Sequence, residues 1–108
     1  NLDFSRNWNE SVKQARTVLT NSFDEPSGID LNAVVDLVSG ESQEKVTAMA
    51  NLLADIGLSK LSQSLSSAED ITSAGLSQSL SRYANAINRL DPQVAENYAK
   101  VIDNVRAV

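Results

Sequence analysis

The sequence predicts an all-α fold: a small irregular helical bundle of four main helical rods, divided into five or six helical segments, with no β-sheet. Three observations carry that prediction. Apolar residues recur at steps of three and four through most of the chain, no stretch alternates apolar and polar residues with β-branched enrichment, and Pro, Gly and cap residues separate the periodic stretches. An irregular stack of short helices, as in part of an α-solenoid, is the alternative architecture. With 108 residues, the chain reads as one domain over 1–108, burying roughly two thirds of its unfolded surface. Its start at Asn1 rather than Met suggests a piece of a longer or processed protein.

The first helix is expected over 4–23. Phe4, Trp8, Val12, Ala15, Leu19 and Phe23 form one helical stripe, which Val18 widens, and Pro26 and Gly28 then impose a turn. Asp30 is a natural N-cap for a second helix over 31–39. Leu31, Val34, Val35 and Val38 form one face, and Ala33 and Leu37 leave the remainder weakly polar, so this helix is expected to be central and buried. Gly40 is expected to close it in the left-handed conformation.

Ser42 caps the next helix, whose stripe is Val46, Met49, Ala50, Leu53 and Ile56. Gly57 predicts a break or bend, followed by a short segment over 59–66 that presents Leu61 and Leu65. Residues 67–70 offer another cap, and the longest helix is expected over 68–90, with Leu76, Leu80, Tyr83, Ile87 and Leu90 as its seam. Asp91 and Pro92 then supply an N-cap and a first-turn proline for a last helix over 93–107, burying Val94, Tyr98, Val101, Ile102 and Val105. The one-residue joint predicts that these last two helices meet at an angle.

The segment 58–81 departs from this pattern. It holds nine Ser and only Lys60, Glu69 and Asp70 as charges, and the hexapeptide Leu-Ser-Gln-Ser-Leu-Ser occurs in it twice, at 61–66 and 76–81. Measured from Leu76 at about 100° per residue, Ile71 and Ala74 fall on the opposite side of the helix from the seam. Either the helix bends near Gly75 or these residues face a second partner. Small hydroxyl and Ala residues permit close helix approach, so the segment reads either as a solvated Ser-rich face or as a surface that meets another chain. In the second case Ser66→Arg, Ser73→Arg or Ser77→Arg should weaken association and leave helicity intact.

Composition removes most chemistry. The chain has no Cys and no His, so thiolate nucleophiles, Cys-based zinc sites and imidazole general bases are excluded. Fourteen acidic against nine basic residues give a net charge of −5 with no basic run, which argues against nucleic acid. No apolar run is long enough to cross a membrane, and no helix pairs an apolar face with a Lys/Arg-rich one. The absence of Cys suits either redox compartment, so no localisation follows.

The remaining motifs have plain explanations. Ser42 to Lys45 matches Ser-x-x-Lys, but the companion Ser-Asp-Asn and Lys-Thr-Gly elements are missing, and a cap explains it. Asp24, Glu25 and Asp30 lack calcium-loop spacing. Asn9-Glu10-Ser11 is a glycosylation sequon inside a predicted helix, and Trp8 serves either as a core anchor or as an interface residue. Arg82 and Arg89, two turns apart, could grip an acidic partner.

Together these observations predict a non-catalytic helical protein–protein interaction or assembly domain that needs no cofactor or metal and has no small-molecule ligand. The surface expected to meet a protein partner or a second copy comprises Ser62, Ser66, Ile71, Ser73, Ala74 and Ser77, with Arg82 and Arg89 at its rim. Two alternatives belong to other classes: a secreted or translocated effector that regulates a partner enzyme, and an extracytoplasmic ligand-sensing bundle.

Overall fold

Polar side chains set where helices begin. The computed structural model describes residues 7–21, 23, 31–66 and 74–107, in the order α1 (Trp8–Asn21), α2 (Leu31–Val38), α3 (Gln43–Ser66), α4 (Ala74–Leu90) and α5 (Pro92–Ala107), with no strand among the described residues. Asn7 caps α1, its Oδ1 accepting the Glu10 amide at 3.2 Å. That cap starts the helix at Trp8, later than the apolar stripe predicts, and Phe4 lies outside the described residues. Ser42 caps α3 by accepting the Lys45 amide at 3.4 Å. Asp91 caps α5 by accepting the Gln93 amide at 3.1 Å, and its other oxygen accepts the Thr47 hydroxyl at 3.0 Å, tying the start of α5 to the start of α3. Asp91→Ala therefore loses a cap and an interhelical tie, and urea denaturation should show a loss of about 1–2 kcal/mol.

The expected break at Gly57 does not occur: α3 is one helix of 24 residues. At 1.5 Å per residue it spans about 36 Å, most of the molecule's 42 Å length. Gly57 has a different purpose. A Cβ placed there would lie 2.5 Å from the Tyr98 hydroxyl oxygen and 2.8 Å from Cε1, so the missing side chain is the notch that admits this ring. The Tyr98 hydroxyl crosses the notch and donates to the Leu80 carbonyl at 3.2 Å, joining α5 to α4 beside α3.

Gly40 departs from expectation too. It does not adopt the left-handed conformation. Instead α2 closes through the Ser39 amide on the Val35 carbonyl at 2.9 Å and the Glu41 amide on the Val38 carbonyl at 2.9 Å. The longest described helix is α3; of the helix expected over 68–90, residues 74–90 form α4, with Gly75 in helical conformation, and 68–73 lie outside the described residues. The expected cap at 67–70 lies outside the described residues.

Helices α3, α4 and α5 pack on one another in all three pairings. The one-residue joint at Asp91 folds α5 back past α4, so that Tyr98 reaches Leu80, and carries it alongside α3 in the same direction. Helix α2 lies against α3 and α4, and α1 lies along α3. The core between them includes Leu19, Phe23, Val34, Val38, Met49, Leu53, Leu80, Ile87 and Tyr98.

Two expectations about burial are corrected. Helix α2 is peripheral, not central: it buries Leu31, Val34, Val35 and Val38 but leaves Leu37 48% exposed. Eight residues make only two turns, enough to cover a neighbour on one side. The central helix is α3, which is covered by α1, α2, α4 and α5 and so buries residues around more of its circumference. In α5 the buried stripe is Ala95, Tyr98 and Ile102, which leaves Val101 at 43% exposure, and Val18 of α1 is likewise on the surface.

Candidate interaction surface

The Ser-rich segment is used partly inside the molecule. The central Ser of each hexapeptide copy, Ser64 and Ser79, is buried, as are Leu61 of the first copy and Leu80 of the second. Ser79 Oγ donates to the Phe23 carbonyl at 2.7 Å, and Arg82 Nη2 donates to the same carbonyl and to Ser79 Oγ, each at 3.2 Å. One helical turn on, the Tyr83 hydroxyl donates to the Leu19 carbonyl at 3.2 Å, and its ring packs on Phe23 with centroids 4.8 Å apart. Three donors at positions 79, 82 and 83 of α4 thus converge on the Leu19 carbonyl in the last turn of α1, which that helix cannot satisfy itself, and on the Phe23 carbonyl just beyond it.

Burial pushes the Tyr83 hydroxyl up to about 12, against a smaller downward pull from Arg82. The folded state therefore holds this proton more tightly than the unfolded chain, whose phenol titrates near 10. The resulting stability is fully present below pH 10 and is lost as pH rises towards 12. Tyr83→Phe should lower the melting temperature at neutral pH and flatten the decline between pH 10 and 12, as read by thermal denaturation against wild type.

Arg89 also has partners within the chain. Its Nη1 donates to Asn32 Oδ1 at 2.8 Å and its Nη2 to Asp36 Oδ1 at 3.4 Å, both on α2. The two arginines expected at a partner's rim thus engage, from α4, the Phe23 carbonyl just beyond α1 and the Asn32 and Asp36 side chains of α2. Of the other expected surface residues, Ser62 and Ser66 are exposed on α3, Ala74 and Ser77 are described in backbone only at the start of α4, and Ile71 and Ser73 lie outside the described residues.

The structure adds a feature that no local pattern marks: two shallow grooves flank α5. One, of about 290 Å³, lies between α3 and α5 and is lined by Ala54, Leu58, Val94, Tyr98 and Val101, with Asn51, Asp55 and Asn97 around them. The other, of about 150 Å³ between α4 and α5, includes Leu80, Ala84, Ile102 and Asp103. In the first groove Asp55 is already paired with Arg16 at 2.8 Å. Ser62 and Ser66 follow Leu58 by one and two turns on the same side of α3, so they prolong that wall. Heptad counting from Asn51 to Leu58 would have found the α3 wall, but not its α5 counterpart.

The weaker chemical motifs resolve into structural roles. Ser42 caps α3, and Lys45 places its ammonium 5.3 Å from the centroid of the Trp8 ring and 3.9 Å from Glu41. Trp8 itself is half-buried against the core. The sequon lies within α1 with Ser11 buried. Asp24, Glu25 and Asp30 lie outside the described residues. Among the described residues no group of three or more acidic side chains is placed to hold a metal ion, and no helix is long and apolar enough to cross a membrane. No protein-family model, curated protein or solved structure matches the chain.

Proposed function

We propose that the chain is a non-catalytic helical protein–protein interaction domain whose contact surface is the groove between α3 and α5. The observation that carries this reading is Val101, a large apolar side chain left 43% exposed at a groove already lined by Ala54, Leu58 and Val94. Covering these residues removes apolar area from water, the main driving force of association. Among the described residues the one charge lining the groove is Asp55, already paired with Arg16, and the exposed Ser62 and Ser66 continue the wall with groups small enough for close helix approach. The matching occupant is an amphipathic helix of a different protein. A net charge of −5 opposes the pairing of two copies and favours a neutral or basic partner.

The test combines sedimentation velocity over a concentration series with selection of a displayed helical-peptide library on the native chain. A helical monomer is expected, together with neutral-to-basic amphipathic peptides that compete with one another. They should lose binding to Val101→Asp and Ser62→Arg but not to Leu37→Asp. Dimerisation abolished by Val101→Asp would assign the groove to a second copy, and peptides indifferent to Val101→Asp would overturn the reading.

A further inference from the structure

The groove between α3 and α5 carries its charge at one place. Asn51, Asp55 and Asn97 stand around its apolar lining, and of these Asp55 alone is charged. Its carboxylate is approached from two sides. Arg16 reaches it from α1, donating from Nη1 to Oδ2 at 2.8 Å, while the groove opens on it from the α5 side. Asp55 Oδ1 accepts no hydrogen bond among the described residues. The side chains of Arg16 and Asp55 are 53% and 59% exposed, so their pairing is weak in water and open to a second cation.

A helix laid in the groove changes that balance. It covers Ala54, Leu58, Val94 and Val101 and takes water from the groove side of Asp55, while Arg16 stays on the α1 side. A carboxylate that loses water is stabilised by a cation in contact with it and opposed by an apolar or acidic group in the same place. Arg16 already supplies one positive charge and so weakens the pull of Asp55 on another.

We infer that the groove selects its partner by one basic side chain, a Lys or Arg placed on Asp55 Oδ1, and that Arg16 competes with it from within the chain. The inference rests on the α3–α5 groove being the contact surface. Net charge favours basic residues anywhere on a partner, whereas Asp55 fixes one of them in register. Asp55 precedes Leu58 by about one helical turn, so the basic residue stands about one turn from the apolar residue seated between Leu58 and Val101.

The helical peptides selected on the native chain are the probe. They should share a Lys or Arg at one position, roughly three or four residues from their main apolar anchor. Replacing it by Ala should weaken binding about 10-fold on the wild-type chain but less than about 2-fold on Asp55→Asn, and Arg16→Gln should tighten the parent peptide by about 3-fold. Asp103→Asn removes the same charge beside the α4–α5 groove and should keep the full difference. All three substitutions are at exposed positions, and circular dichroism checks that each variant is folded. Peptides that lose binding to Val101→Asp but share no basic position, or keep its whole effect on Asp55→Asn, overturn the inference and leave the groove in place. So does weaker binding to Arg16→Gln. Peptides indifferent to Val101→Asp overturn both.

Discussion

Gly57→Ala should lower stability by about 2 kcal/mol or more, although alanine is the better helix former. The substitution gains about 1 kcal/mol of intrinsic helix propensity. Against that, the new methyl would stand 2.5 Å from the Tyr98 hydroxyl oxygen and 3.0 Å from Cζ. The ring cannot swing aside freely, because it is 1% exposed and its hydroxyl is held by the Leu80 carbonyl. Overpacking of this kind costs about 1–3 kcal/mol, and displacing the hydroxyl forfeits a buried hydrogen bond at about 1–3 kcal/mol more. Chemical denaturation read by circular dichroism measures the sum. Combining Gly57→Ala with Tyr98→Leu should cost less than the two single losses added together, since the shorter side chain vacates the contested space. Gly40→Ala is the contrasting case: nothing lies within 4 Å of its Cβ position and its backbone is not left-handed. That variant should be neutral or stabilised by up to about 1 kcal/mol.

Leu53→Ala should be the most damaging leucine truncation on α3, costing about 2–5 kcal/mol. Leu53 is fully buried at the middle of the helix that the other four contact, so the surroundings have little freedom to collapse into the cavity. Leu37→Ala, on the outer side of α2, should stay within about 0.5 kcal/mol. Urea denaturation of the two variants reads out which helix is central. Equal losses would return α2 to the central place that its composition suggests.

Much of the fold was legible because helical periodicity is a local property. The stripe Val46, Met49, Ala50, Leu53 and Ile56 is buried as expected, as are Leu80, Tyr83, Ile87 and Leu90, and the caps at Ser42 and Asp91 hold. The errors arise where a residue's role is set by a distant partner. Gly57 looks like a helix stop until Tyr98 is placed against it. Helix α2 looks central because apolar composition does not record how many neighbours eight residues can reach.

The surface was less legible, for related reasons. Serine is small enough to lie between helices and polar enough to face water, so the Ser-rich segment read alike in both settings. Ser64 and Ser79 took the first and Ser62 and Ser66 the second. Arg82 looked available because one of its acceptors, the Phe23 carbonyl, is a backbone group that leaves no mark in the order of side chains. The groove beside Val101 needs two helices from distant parts of the chain, and periodicity in either one shows only half of it.

The attachment of α1 also bears on the order in which the chain assembles. Joining α4 to α5 closes a loop of a single residue, Asp91, at almost no entropic cost. The groups seen to hold α1 and the turn after it among the described residues, from Lys45 and Asp55 to Ser79, Arg82 and Tyr83, lie later in the chain. During synthesis α1 leaves the ribosome before any of them exists. Helix α1 is thus made before every group seen to hold it, and its apolar stripe stays uncovered until α3 and α4 have followed.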